Sequence, residues 1–424
     1  MRAAALLLLL AAAPAAAQSV QKGDADSQET PPPGVFGPFD KLRERAAKAG
    51  VTLAARYTSE LGFNADGGRA HRVTETGQAD LSAKFDLEKL AEVKGGTVNA
   101  VITWRRGDLL DQVAGLDTLQ QSQEIYGRGQ TVRLTRLWYE QRFGKARLKL
   151  GRSNVGEDFA SFSCDFMNLG FCGAQPGNLI GDYWFNWPVS QWMGRLRYDL
   201  GGGYVQAGAY EVNQRNLKNK FALGYFGGAT GMLLPVEAVW KPHLGGLPGT
   251  YRVGAWYDTS RGDDAVLDRA GGIAALSGSA PLEHDGRFGA WLVARQQVTG
   301  TADEHGTLKG LTLFARVTQA DRRTARLDNQ LSVGLFYEGL RSIAPDDAIG
   351  LAIGRTHVNS RIGAAEAVTG RPIEGSEYEG ELFYSFHPLS GIVLRPNLQY
   401  IIHPGGRADA RDAVVLGVKT AINL

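Results

Sequence analysis

The sequence predicts an all-β chain: a transmembrane antiparallel β-barrel of about 16 strands, with a short periplasmic helix before it. Three observations lead there. Segments of period-two alternation follow one another with no long helical pattern between them. The N-terminus reads as an export signal. Aromatic residues recur at strand ends, while arginines recur in mid-strand on the opposite face.

Met1-Arg2 supplies positive charge, Ala3 to Ala13 an apolar run centred on Leu6 to Leu10, and Ala15-Ala16-Ala17 a small-residue cleavage site before Gln18. Residues 1–17 are therefore expected to be a secretory signal peptide. Beyond them no stretch reaches the roughly 18 consecutive apolar residues of a membrane helix. Residues 18–50 are expected to form a periplasmic segment, polar at first and then proline-rich at Pro31-Pro32-Pro33. Good helix formers from Asp40 to Ala49, with Gly50 as a stop, place one short helix there. Residues 51–424 read as the barrel.

The alternation runs the length of that region. Ala100, Ile102 and Trp104 oppose Val101, Thr103 and Arg105; Ala146, Leu148 and Leu150 oppose Arg147 and Lys149. Leu196 and Tyr198 oppose Arg195 and Arg197, and a Gly201-Gly202-Gly203 turn leads to Val205, Ala207 and Ala209. Tyr251, Val253, Ala255 and Tyr257 oppose Arg252 and Asp258; Phe288, Leu292 and Ala294 oppose Arg287 and Arg295. Leu311 to Val317 and Leu331 to Tyr337 repeat the pattern. The last three strands follow the same rule, ending with Val414, Leu416, Val418, Ile422 and Leu424 against Val415, Gly417, Lys419, Ala421 and Asn423. In a soluble sandwich the apolar faces would make a core; in a barrel they face lipid. Trp104, Trp192, Tyr198, Trp240, Tyr257 and Tyr337 sit where interfacial girdles want them. Val414 to Leu424 is expected to close the barrel against the strand that follows Gly50.

One segment, Val132 to Phe143, offers two phases. Turning Val132, Leu134, Arg136 and Trp138 outward places an arginine in lipid, at roughly 2–4 kcal/mol. Turning Leu137, Tyr139 and Phe143 outward avoids this and sends Arg136, Trp138, Glu140 and Arg142 into the lumen, with Arg133 near a rim. The second phase is the expected one.

Lysine plus arginine (46) nearly cancels aspartate plus glutamate (44), which argues against nucleic acid as a partner. Cys164 and Cys172 are the only cysteines. Close together in an exported chain, they are expected to form a disulfide, and neither a metal site nor a cofactor is expected. Residues 157–192 read as a long loop holding that pair with Asn178, Trp184, Asn186 and Trp187. Folded inward it narrows a pore; left outside it caps the barrel. His387 and His403 read as turn or rim residues. No Gly-x-Ser-x-Gly elbow, phosphate-binding loop or His-Glu-x-x-His helix is present.

An ordered set of segments resembles the carbohydrate-selective outer-membrane porins of the OprB family. It comprises Tyr57-Thr58-Ser59-Glu60-Leu61, Phe85 to Leu90, Leu137-Trp138-Tyr139-Glu140-Gln141, Leu150-Gly151-Arg152 with Asp158-Phe159-Ala160, and Cys164 to Gly173. Pro188 to Trp192, Gly246 to Tyr251, Gly254 to Asp258, Tyr378-Glu379-Gly380, Pro396 to Ile401 and His403 to Gly406 complete it. The resemblance implies a 16-stranded barrel in the bacterial outer membrane, passing monosaccharides and similar small sugars passively. Outer-membrane lipids, lipopolysaccharide and the barrel-assembly machinery are then the expected partners. Such proteins usually finish on an aromatic residue, whereas this chain finishes on Leu424.

A sugar offers an apolar C–H face and a ring of hydroxyls, so its channel needs aromatic faces and fixed hydrogen-bonding groups. Arg136, Trp138 and Glu140, two apart on one face, supply both, and Arg105 on a neighbouring strand is placed to oppose them. The resemblance puts Arg152 and Asp158 near the constriction as well. Ordinary ion pairing that stiffens the wall is the competing role for Arg105, Arg136, Trp138 and Glu140, and a loop salt bridge for Arg152 and Asp158. The rival function is a barrel hydrolase acting on sugars or lipids; a secreted sugar-binding sandwich is a third.

Overall fold

The structure, a computed structural model, describes residues 34–302, 308–340 and 346–424. The expected signal peptide and the proline run lie outside them. Among the described residues eighteen strands form one sheet. Two of these are dipeptides in turns, His243–Leu244 and Thr301–Ala302, which leaves sixteen wall strands. The first eight are β1 (Val51–Asp66), β2 (Val73–Asp86), β3 (Gly96–Gly107), β4 (Val132–Phe143), β5 (Ala146–Ser153), β6 (Gln191–Asp199), β7 (Gly203–Val212) and β8 (Gly231–Trp240). The rest are β9 (Leu247–Asp268), β10 (Pro281–Gln297), β11 (Leu308–Ala320), β12 (Leu327–Glu338), β13 (Ala348–Val358), β14 (Ser376–Leu389), β15 (Ile392–Ile402) and β16 (Ala413–Asn423).

Every neighbouring pair is antiparallel, and β16 returns to β1 over Arg56↔Asn423 to Asp66↔Val414, closing the barrel as expected. Closure leaves no unpaired sheet edge in lipid. Chain alternation becomes wall polarity. On β16, Leu416 points out while Val415, Lys419 and Ala421 are buried on the inner side. All six girdle aromatics named above are exposed on the outer wall. Trp240 and Tyr251 lie against each other there, as do Tyr384 and Phe386.

β4 resolves its two phases by using both. Val101 pairs with Arg136 but Ile102 pairs with Leu134, so Thr135 is an extra residue in a β-bulge. Thr135 is buried and donates to Thr103 Oγ1 at 2.8 Å. Below the bulge Leu137 and Phe143 face outward and Arg136, Trp138 and Glu140 face the lumen, the expected phase. Above it Val132 faces outward and Arg133 inward, the phase set aside. Arg133 then bonds the carbonyls of Arg128, Asn216, Leu217 and Lys218 in the loops above.

Before β1 lies helix α1 (Gly37–Lys48). It begins three residues ahead of the expected Asp40 because Pro38 sits in its first turn, where a missing N–H costs nothing. Its Arg43 donates to the Leu53 and Leu424 carbonyls at 3.3 Å each, and Val35 N–H to the Asn423 carbonyl at 3.0 Å. The helix therefore clasps the seam at the mouth where the chain ends. With short turns on the same side, that mouth is the periplasmic one.

Candidate functional site

Two long loops leave the far rim and fold into the lumen: residues 154–190 between β5 and β6, and residues 108–131 between β3 and β4. The inward reading of the cysteine-containing loop is the observed one, and Cys164–Cys172 form a disulfide within it. Phe159, Phe166, Phe171, Tyr183 and Trp184 are almost wholly buried against the inner wall. Trp184 meets Trp256 and Trp291 with ring centroids at 5.6 and 5.4 Å. Phe166 packs on Phe171, Phe336 and Phe383.

Wall carboxylates hold both loops by their backbones. Glu381 on β14 accepts from the Met167 and Asn168 N–H groups at 2.8 and 2.7 Å. Glu377, four residues earlier on the same face, accepts from Leu119 and Gln120 at 2.7 and 3.0 Å. Glu237 on β8 accepts from Ala160 at 2.9 Å. Arg316 on β11 works in the opposite sense, donating to the Gly170 and Gly173 carbonyls at 3.2 Å each. A buried loop carries peptide groups that water no longer satisfies, and these side chains replace the water. Asp111 does the same inside the 108–131 loop, where burial pushes its carboxyl up against the hydrogen bonds from Ser122 and Thr118.

The 154–190 loop starts beside β4, β5 and β6, and here a charge cluster gathers on the inner wall. A short turn sets β4 against β5 and ladder pairing sets β6 against β5 across the long loop, so that Glu140, Lys149 and Arg195 stand side by side on three adjacent strands. The helical turn Val155–Asp158 adds Glu157 and Asp158 to them. Lys149 reaches Glu157 at 3.3 Å and Asp158 at 3.1 Å; Arg195 reaches Asp158 at 2.9 Å and also pairs with Glu140. Arg136 bonds Glu157 at 2.6 Å, and Tyr210 donates to Asp158 at 2.8 Å. Burial alone would push the Asp158 carboxyl up, but Lys149 and Arg195 outweigh it and hold it below the usual carboxylate range. Two indoles flank the cluster, Trp138 with the Lys149 ammonium 4.6 Å from its ring and Trp187 with the Arg136 guanidinium at 5.0 Å.

Of the six residues singled out in the sequence, four meet here: Arg136, Trp138, Glu140 and Asp158. Arg136 is the most open of the charges, with 21 % of its side chain accessible against 4 % for Glu157. Arg105 stands one step away. It donates to Gln78 at 2.6 Å, and Gln78 accepts from Trp187 at 3.3 Å. Arg105 also holds the Gly127 carbonyl at 2.6 Å and so ties the second loop to this wall. Arg152 lies apart. Its row is Leu137↔Arg152↔Trp192, an outward one, and the 213–230 loop covers it through Asn216 at 2.9 Å.

Sequence reasoning misses Lys149 and Arg195, because nothing marks one lumen-phase cation above another; Trp187 and Glu157 enter it only as parts of the long loop. The nearest metal-like grouping among the described residues is Glu124 with the two cysteines. Both sulfurs are spent in the disulfide, so it offers no thiolate ligand. What the cluster can do is present cations, carboxylates and two indole faces to a polar solute. Arg136, Lys149 and Arg195 against Glu140, Glu157 and Asp158 sum to no net charge.

A family model described as "Carbohydrate-selective porin, OprB family" matches residues 70–424. The chain belongs to that family. It is 38% identical to Porin B of Pseudomonas aeruginosa over 412 residues, covering 91% of this chain and 90% of the relative. It is 32% identical to the putative porin QuiX of Acinetobacter baylyi over 420 residues, 92% of each chain. The high-pH structure of Pseudomonas putida OprB superposes with a TM-score of 0.87 at 37% identity, covering 92% of this chain and 98% of that one. As an OprB-family barrel, the protein is an outer-membrane porin.

Proposed function

We propose that the chain passes neutral, monosaccharide-sized sugars by passive diffusion, selecting them at the cluster on β4, β5 and β6. The observation that carries this reading is the combination of balanced charge with two indole faces. A charge-neutral eyelet gives no advantage to a simple ion. Its fixed donors and acceptors match hydroxyls, and Trp138 and Trp187 match the apolar C–H face of a sugar ring. Arg136, Trp138 and Glu140 are the contacting residues in this proposal, and the buried Asp158 positions Lys149 and Arg195 behind them. Arg105 and Arg152 are positioning residues, acting on the loops that set the aperture.

In the same reading residues 1–17 are removed on export, residues 18–50 stay in the periplasm and residues 51–424 form the porin domain. The assembly machinery would insert it among lipopolysaccharide, and it would turn over no substrate. Reconstitution in planar bilayers tests the core of this. Discrete conductance steps that glucose reduces in a saturable way are expected. Arg136→Ala or Trp138→Ala should raise the blocking constant about three- to tenfold, the range for one hydrogen bond to a charged group in a wet site. Wild-type block in both variants would remove the cluster from the selective path.

A further inference from the structure

Around the wall from this cluster, beside the seam that α1 clasps, lies a second cavity of about 210 Å³. Its charged lining is Arg43 from α1, Arg56 and Asp80 from β1 and β2, and Arg136 from β4, with Trp187 and Asn423 beside them. The balance seen in the eyelet is broken here. Three arginines face one aspartate, and Asp80 is already occupied by Gln78 and Thr103 at 2.8 and 2.7 Å. Arg43 has Asp40 at 3.0 Å and Arg136 has Glu157 at 2.6 Å. The Arg56 side chain is exposed to the lumen and makes no hydrogen bond or ion pair among the described residues. At longer range Arg395, held by Asp165 at 3.2 Å, repels it, while Asp80, Asp165 and Glu124 attract it without reaching it.

We propose that this cavity is a subsite for the carboxylate of a sugar acid, with Arg56 as the group that takes it. The proposal rests on the sugar-channel reading of the lumen and extends it from neutral sugars to their hydroxylated monoanions. A guanidinium fork matches a carboxylate with two parallel hydrogen bonds, which no hydroxyl reproduces. Ser82 and Asn423 on the same lining offer partners for the hydroxyls of the anion, and Trp187 an apolar face. Solvent contact keeps the hold loose enough for release, as a conducting path requires.

The test compares D-glucose with D-gluconate as blockers of the reconstituted full chain at matched ionic strength. Gluconate is expected to block wild type at about three- to tenfold lower concentration than glucose, most strongly from the periplasmic side. Arg56→Gln should bring that ratio toward one, and Arg56→Lys should keep part of it. Asn423→Asp, which sets a carboxylate directly across the register from Arg56, should abolish it as well. Glucose block without a gluconate advantage in wild type would overturn this subsite and leave the sugar channel standing. So would either neutralising variant, folded and conducting, that keeps the wild-type ratio. Absence of block by any neutral sugar would instead remove the reading on which the subsite depends.

Discussion

Removing Asp158 tests whether the charge cluster sets the aperture. Asp158 accepts from Lys149 at 3.1 Å, Arg195 at 2.9 Å and Tyr210 at 2.8 Å, with 4 % of its side chain accessible. Breaking a buried pair by deleting one partner costs about 3–5 kcal/mol. Here both cations keep a second carboxylate, Glu157 for Lys149 and Glu140 for Arg195, so the lower end applies. About 3 kcal/mol shifts the local open-to-closed balance of the loop start by roughly a hundredfold. Asp158→Ala should therefore give larger, noisier single-channel steps and weaker sugar block, while the barrel itself stays folded. Asp158→Asn keeps the shape and an acceptor for Tyr210 and should fall between. The pH dependence has a fixed sign. A carboxyl held below its unfolded value stabilises above that value, and the contribution goes only as pH falls through the lower folded one. Wild-type steps should thus remain quiet when mildly acidified. Steps, noise and block constants in Asp158→Ala equal to wild type would refute the argument.

Two further predictions concern the loops and the wall. Glu381→Ala leaves the buried Met167 and Asn168 N–H groups without an acceptor, at about 1–3 kcal/mol each, so their hydrogen exchange should accelerate tenfold or more. Unchanged protection there would mean that the aromatic packing of Phe166 alone holds the loop. Deleting Thr135 should be tolerated, which is unusual for a residue inside a membrane strand. It removes one of two successive inward residues, leaving Leu134, Arg136 and Leu137 in regular alternation. The cost is about 1 kcal/mol for the hydrogen bond to Thr103. A barrel that no longer assembles into outer-membrane vesicles would show that the bulge is needed for something besides phase.

The wall was legible because lipid imposes a rule on every second residue. Lys419, Arg195 and Arg252 had to point inward once Val418, Leu196 and Val253 pointed outward, and the alternation carried that along the whole chain. The β4 segment was legible too, but as a choice between phases. Its apolar positions run Val132, Leu134 and then Leu137, Tyr139; the change from even to odd is the bulge itself, written in the sequence. The eyelet was only half legible for a different reason. Which lumen residues meet depends on register between strands, and register is set by turn lengths rather than by any single segment. Glu140 was found because it lies two residues from Trp138; its neighbours Lys149 and Arg195 come close only after the β4–β5 hairpin forms and β6 pairs with β5 across residues 154–190.

The loops show where a rule based on faces stops working. Residues 108–131 and 154–190 are irregular chain at membrane depth, permitted only where protein rather than lipid surrounds them. Their peptide groups had to be met by side chains, and alternation had already placed those side chains on the inner wall. Glu377 and Glu381 on β14, Glu237 on β8 and Arg316 on β11 are lumen-phase charges that bond loop backbone. So the wall carries two classes of inward charge that look alike in the sequence. One class is consumed by the loops. The other, Arg56 with the open side of Arg136, still faces water because the 154–190 loop meets this sector only through Glu157 and Trp187. A solute path is therefore defined by subtraction, as the part of the charged inner wall that the loops do not use. On that argument substitutions of lumen residues on β1 to β6 should change sugar block directly, whereas those on β11 to β14 should act on conductance by loosening a loop.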